Sequence, residues 1–385
     1  MKFTLLALGS VLSVNAAVIG ERATYKVIGK PEGFAAGTTG GGSAACQVPA
    51  DVKQLKQWLE DKTARCIVID KEYNFKGTEG TTKETGCRPA SNKCPGNGGQ
   101  DAINKASWCT NGNAGTGSKS ISVTYDTAGV AGINMGSNKS VIGVGSKGVI
   151  RGKGLRIANG AKNIIIQNIH ITELNPQYIW GGDAITLAGS DQVWIDHCKF
   201  SLIGRQMFVA GQAASNRVTL SNNEFDGQTK WSASCDGKHY WTLLAIGGGD
   251  LITAKGNYIH HTSGRSPKLG GNTVFHAVNN LWAENSGHAF DNEQGSKVLL
   301  EGNVFQNVKT TLLANKGNFF APSGNALKQC AANLKHTCVA NSFTNSPAIT
   351  TADTSVLNYF KNKSVATVGA ANAATIKSKA GVGKI

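Results

Sequence analysis

A short β-like unit that recurs at a near-constant interval constrains this 385-residue chain more than any other feature. The segments IIIQNIHI (164–171), VWIDHCKF (193–200), VTLSNNEF (218–225), ITAKGNYI (252–259), VFHAVNNLW (274–282) and VLLEGNVF (298–305) share one template. Alternating apolar residues lead into an asparagine or its substitute, and a second apolar pair follows. Aligned on Asn168, Cys198, Asn223, Asn257, Asn280 and Asn303, the units are 30, 25, 34, 23 and 23 residues apart. A period in this range marks a solenoid, whose units bury their apolar face only by stacking on one another. Each unit is β in character, so the expected fold is all-β: a right-handed parallel β-helix. Asparagine suits one repeated corner because it tolerates left-handed backbone and its amide can bond the same group one coil away.

The remaining composition fits that frame. Forty-eight glycines supply tight corners. Solenoids lengthen without splitting, so residues 18–385 read as a single domain after a leader at 1–17, MKFTLLALGSVLSVNAA, which has the form of a secretory signal peptide. Beyond it, no apolar run is long enough for a membrane span. Nine cysteines then fall in an oxidising compartment, where pairing is expected. Cys46 with Cys66 and Cys330 with Cys338 read as local pairs, Cys87, Cys94, Cys109 and Cys235 as further bridges, and Cys198 as a buried free thiol. Asn138 and Asn362 begin glycosylation sequons. DVKQLKQWLEDK, capped by Asp51, predicts a helix covering the open end of the stack through Val52, Leu55, Trp58 and Leu59. Residues 76–118 show no strand periodicity and read as a disulfide-tied excursion, and the tail from Ala321 as folding back along the coils.

The net charge of +15 concentrates polyanions. Basic residues are scattered rather than blocked, so no nucleic-acid arm is indicated, and for a secreted protein an acidic polysaccharide is the better partner. Chemistry is expected on the loops between strands. WGGDAITL (180–187) offers Asp183, IGRQMFV (203–209) Arg205, CDGKHYW (235–241) Tyr240 and Trp241, and HHTSGRSPKLGG (260–271) Arg265 and Lys268. Asp196 and His197 read as structural members of a turn. His260, His261, His276 and His288 are too scattered for a metal cluster.

The motifs WIDH, GGDAI, NPxYxWGGD and HHTSGRSPK together resemble the pectin lyases of the first polysaccharide-lyase family, from about Asp51 to about Phe343. The resemblance implies a parallel β-helix and eliminative cleavage of α-1,4-linked galacturonan: a base removes the C5 proton, O4 departs, and a C4–C5 double bond remains. It implies Arg265 as the base, with Lys268 and Arg205 lowering its proton affinity and meeting the enolate charge, and Asp183 orienting Arg205 by a bidentate pair. Tyr178, Trp180, Tyr240 and Trp241, with Trp108 and Trp231, are expected to contact sugar faces and methyl esters. The related pectate lyases meet the same charge with Ca²⁺, which wants six to eight oxygens. After Asp196 no acid occurs until Glu224, and Arg205 lies in that gap. The expectation is therefore a secreted, endo-acting, monomeric, cofactor- and metal-independent enzyme on methyl-esterified pectin. A Ca²⁺-dependent pectate lyase is the alternative. A galacturonan hydrolase needs two or three converging acids, and these loops hold one. A non-catalytic wall adhesin would leave the polymer uncut.

Overall fold

The computed structural model describes residues 25–385, so the expected leader at 1–17 lies outside the described residues. The recurring units become a ten-stranded parallel sheet, running from Cys46–Gln47 and Arg65–Ile69 through Lys162–Gln167, Asp191–Asp196, Asn216–Ser221, Asp250–Lys255, Val274–Val278 and Lys297–Glu301 to Asn318–Phe320. Two residues after most of these strands the chain enters a second parallel face: His170–Leu174, Lys199–Ile203, Glu224–Asp226 and Tyr258–His260. A third face follows, with Ile185–Ala188, Phe208–Ala210, Leu243–Ala245 and Lys268–Leu269. The long strand Leu281–Asn292 belongs to both, pairing with Tyr258–His260 at one end and Lys268–Leu269 at the other. This succession of parallel faces is the expected β-helix.

Register explains why the sequence folds this way. Ile164, Val193, Val218, Ile252, Phe275 and Val298 lie in line on neighbouring strands and are buried. On the second face Ile171, Phe200, Phe225, Ile259, Trp282 and Phe305 form another column. Its rings stack, at 5.2 Å between Phe200 and Phe225 and 4.8 Å between Trp282 and Phe305. Each such side chain contributes about 1.5–3 kcal/mol on burial. A slip of one residue would turn a whole column outward, so the register is strongly specified.

The asparagine column is present, with one correction. Asn223 Nδ2 donates to Asn257 Oδ1 at 3.0 Å, Asn257 to Asn280 at 2.8 Å, Asn280 to Asn303 at 2.9 Å, and Asn303 to Asn341 at 2.9 Å. Cys198 caps the series, its backbone amide donating to Asn223 Oδ1 at 2.9 Å. Asn168 is not in this column. Gln167 pairs with Asp196, so Ile169 stands beside Cys198 and Asn168 beside His197. Asn168, His197, Asn222 and Asn279 instead form the adjoining left-handed corner, at φ of 59°, 49°, 51° and 50°. Asparagine is favoured at both positions, which is why sequence spacing alone slipped there by one. Asp196 accepts from Gln167 Nε2 at 2.9 Å and Ser221 Oγ at 2.6 Å and holds His197 Nδ1 at 2.7 Å, bonds that knit three coils together.

Helix Val52–Glu60 covers the first coils, with Leu55 and Leu59 fully buried and Asp51 accepting from the Gln54 amide at 2.8 Å. The bridges are Cys46–Cys66, Cys87–Cys109, Cys94–Cys235 and Cys330–Cys338, and Cys198 is a buried free thiol. The excursion at 76–118 does contain strands. Thr81–Arg88 pairs antiparallel with Lys119–Asp126, and Asp101–Ala102 joins Tyr178–Ile179 to complete a four-stranded sheet. TTKETGCR shows no alternation because most of that strand is solvent-exposed. The tail packs Leu334, Val356, Leu357 and Phe360 on Val274, Leu299 and Phe320, and the Gly383 amide donates to Asn168 Oδ1 at 2.7 Å. Asn138 and Asn362 are exposed.

Candidate active site

Insertions accumulate at the corner between the second and third faces, where 175–184, 227–242 and 261–267 separate consecutive strands. Register there places functional side chains one above another. Ile185 pairs with Phe208 and Phe208 with Leu243, while Leu244 pairs with Lys268. Counting two residues back from this line gives Asp183, Gln206, Trp241 and Arg265 on four successive coils. His288 completes the column, since Lys268 pairs with Asp291.

Two guanidinium groups dominate the site. Arg205 lies flat on Trp180, its Cζ 3.6 Å from the ring centroid, and Arg265 Cζ lies 4.7 Å from the Trp241 centroid and 6.0 Å from that of Tyr240. Cations on aromatic faces keep their charge while shedding water. Burial lowers the proton affinity of Arg265, against the opposing pull of Tyr240 and Asp291. Burial also lowers that of Arg205; Asp183 opposes the shift and the charge of Arg265 adds to it. Among the described residues Arg265 makes no ion pair, and its Nε is buried without a partner. Its backbone is left-handed at φ 43°, unusual for a residue with a side chain. The amide donates to His288 Nε2 at 3.2 Å, which secures that conformation. Gly264 must be glycine: a Cβ there would meet the Tyr240 ring at 2.4 Å.

Deeper hydrogen bonds fix the aromatic wall. Trp241 Nε1 donates to Gln100 Oε1 at 3.0 Å, and Gln100 Nε2 donates to Pro176 O and Gly204 O, both at 2.9 Å. The excursion is thereby pinned to the coil that carries Arg205. His239 Nε2 donates to Arg205 O at 2.7 Å and to Trp241 O at 3.0 Å, and burial brings its pKa down to about 4. It stays neutral, buttressing both backbones.

Two expectations change. Asp183 does not form a bidentate pair: its Oδ2 lies 3.6 Å from Arg205 Nη1, while Oδ1 accepts the Gln206 amide at 2.8 Å. Burial raises its pKa, which Arg205 only partly offsets. Lys268 is not a free cation. Its ammonium contacts Asp291 Oδ2 at 2.6 Å and Glu293 Oε1 at 3.0 Å, which raise its proton affinity in spite of burial. These acids lie on the next coil.

The six aromatic candidates divide. Trp180, Tyr240 and Trp241 face the arginines, and Trp108 packs into the same apolar cluster as Trp241. Tyr178 meets Tyr125 at 6.4 Å rather than an arginine, and Trp231 lines a separate cavity beside Tyr125. Sequence reasoning missed His288. Its signal was the interval: it follows Arg265 by 23 residues, as Asn280 follows Asn257.

The residues present do not fit a resident Ca²⁺ beside Asp183. Its column continues as Gln206, Trp241, Arg265 and His288 without a second acid, and the neighbouring charge is a guanidinium. Among the described residues, groups of three ligand-type side chains lie elsewhere. Glu224, Asp226 and His260 are one, with Lys199 already 2.9 and 3.0 Å from the two acids. The other includes Cys338, which is disulfide-bonded.

Buried, aromatic-backed cations on the loops of a parallel β-solenoid make a site suited to negative charge. The sequence profile of the pectate lyase family matches residues 110–385. A probable pectin lyase F-2 of Aspergillus terreus is 53% identical over 377 residues, covering 96% of this chain and 77% of that one. Pectin lyase B of Emericella nidulans is 51% identical over 381 residues, covering 97% and 98%. In fold, the chain is similar to the crystal structure of a pectate lyase from Bacillus sp. N165 in complex with trigalacturonate, with a TM-score of 0.57 and 21% identity over 92% of this chain and 99% of that one. The chain belongs to the pectate lyase family, and the relatives that share half its sequence are pectin lyases.

Proposed function

We propose that this chain is a pectin lyase, cleaving methyl-esterified galacturonan by elimination. The observation that carries the reading is Arg265, a desolvated guanidinium held in a strained backbone against Trp241 with no carboxylate paired to it among the described residues. A guanidinium is ordinarily always protonated, and burial is the effect that moves it toward serving as a base. In this reading Arg265 takes the C5 proton. The C5–H electron pair moves toward the C6 carbonyl, whose developing negative charge Arg205 meets. Collapse forms the C4–C5 double bond as the C4–O4 bond breaks, and O4 leaves as a hydroxyl after taking a proton from solvent. Fixed charges aimed at developing charge supply the largest single term in many such reactions.

Esterification fits the same site. A neutral ester makes C5–H more acidic than a carboxylate does, and its methyl group suits the aromatic wall of Trp180, Tyr240 and Trp241. Lys268, braced by two acids, holds its position as an electrostatic contact rather than a mobile ligand. The disulfides favour a secreted enzyme, and capping at one end and tail packing along the coils favour a monomer. The test is ultraviolet absorbance of a digest of highly esterified pectin with chelator present: the conjugated uronide appears. Activity confined to polygalacturonate and abolished by the chelator would support the Ca²⁺-dependent alternative instead.

A further inference from the structure

The turn 175–184 has two sides. Trp180 and Asp183 meet the arginines on one. On the other, Asn175 to Gln177 form a wall of a cavity of about 690 Å³ between the second face and the four-stranded excursion. That volume is in the range of sites for small molecules and sugars.

The floor of this cavity is Leu202, Tyr125 and Trp231. Leu202 is out of keeping with its position. Register places Gly152, Glu173, Leu202, Gly227, His261, Glu284, Asn307 and Asn345 in one column at the end of the second face. The six that are not glycine are all left-handed, at φ of 57°, 53°, 52°, 56°, 55° and 48°. Five of them are polar, and Leu202 alone is apolar. Left-handed backbone is costly for a bulky residue, and Leu202 is only half-buried, so packing in the solenoid core does not offset that cost. Its side chain instead joins Tyr125 and Trp231 in lining the cavity.

The rim is polar and nearly neutral. Lys76 is paired with Glu173 at 2.8 Å, and Glu173 is paired with Arg151 as well. Asp126 accepts from the Gly77 amide at 2.7 Å and the Ala128 amide at 3.0 Å. Lys230 is exposed and has no ion pair among the described residues. An apolar aromatic floor under a polar rim whose charges cancel, Lys76 and Lys230 against Glu173 and Asp126, fits a sugar chain whose carboxyls are mostly esterified, better than a polyanion. The wall is also tied to the groove: Asn175 Nδ2 donates to Gly181 O and to Asp126 O, both at 2.9 Å.

We infer that this cavity is a second binding site, outside the catalytic groove, for a stretch of methyl-esterified galacturonan. The ligand class rests on the function proposed above; the cavity itself does not. A second hold on one polymer raises its effective concentration at the groove without altering chemistry there.

The test compares long esterified pectin with a short substrate, fully methyl-esterified hexagalacturonide. Leu202→Asn places at this corner the residue that Asn307 and Asn345 already provide, so the fold is kept while the floor is lost; Lys230→Ala removes the free cation. For both variants KM on long pectin rises severalfold, while kcat and the hexagalacturonide kinetics stay as in the parent. Calorimetric titration of the Arg265→Ala protein with hexagalacturonide counts two equivalents, and one when Leu202→Asn is added. An unchanged KM on long pectin, equal losses on both substrates, or a single equivalent in the Arg265→Ala protein would each overturn the second site. If the parent forms no unsaturated product from either substrate, the proposed reaction fails, and the calorimetric count still decides the cavity.

Discussion

Nε2 of His288 accepts the backbone amide of Arg265 at 3.2 Å, so the proposed base is held by an imidazole one coil further along the stack. The bond needs His288 neutral. Burial lowers its pKa, Lys268 and Arg265 act in the same direction, and Asp291 opposes; Tyr240 packs edge-on at 5.8 Å. The folded pKa is thus below the ordinary value of about 6.5. As pH falls below that value the unfolded chain takes up a proton that the folded one refuses, and stability declines. Once pH passes the folded pKa, Nε2 becomes a donor facing a donor. We expect kcat to fall on the acid side, and His288→Gln, which keeps an acceptor without the titration, to move that limb to lower pH. Superimposable acid limbs in kcat–pH profiles would remove His288 from this role.

Arg265→Lys is expected to lower kcat on the order of a thousandfold, within the usual range for losing a general base. Circular dichroism and melting temperature should be little changed. A lysine cannot spread flat on Trp241 or present the same nitrogen. Turnover near that of the parent would exclude Arg265 from the proton transfer.

Chelation is expected to leave cleavage of esterified pectin unaltered, because Asp183 stands in its column without a second acid and beside Arg205. Replacing Arg205 by alanine, by contrast, should cost about 100–1,000-fold in kcat, as removal of a charge-stabilising donor does. Activity restored to a chelated sample by Ca²⁺ alone would contradict the first expectation.

Asn257→Ala should destabilise the fold without touching the chemistry. Asn257 donates to Leu220 O and Asn280 Oδ1 and accepts from Asn223, all in a fully buried column. Leaving these partners unsatisfied costs about 1–3 kcal/mol each, reduced where the coils relax. The denaturant midpoint should fall while KM on a short substrate is unaffected; an unchanged midpoint would mean the ladder is ornamental.

Cys198 should resist thiol reagents in the native protein, since burial pushes its pKa up to about 12 and only the thiolate reacts. Labelling should appear on unfolding. Rapid native labelling would contradict its position in the core.

The solenoid was legible because its columns repeat residue types: Asn223, Asn257, Asn280 and Asn303 stand in line on successive coils. Asn168 misled because two adjacent corner positions both favour asparagine. Arg205, Arg265, Trp180 and Trp241 were legible as loop residues with motif context, and they do meet. The neutralisation of Lys268 was not, because Asp291 and Glu293 lie a coil away and become its neighbours only through register. Strand Thr81–Arg88 was hidden for the opposite reason: an exposed ribbon has no need of an apolar period.

The corner insertions stop short of one end of the stack. At the other end the corner between Glu72–Asn74 and Ile133–Asn134 holds the long excursion, whereas past Arg265 the strands Leu281–Asn292 and Val304–Asn315 run on from one face to the next without a break. These uninterrupted corners raise no barrier at that extremity of the groove, so a bound polymer can continue past it. Endo attack is the mode expected from the sequence, and it predicts that a pectin solution loses most of its viscosity while only a small fraction of its linkages has been cut.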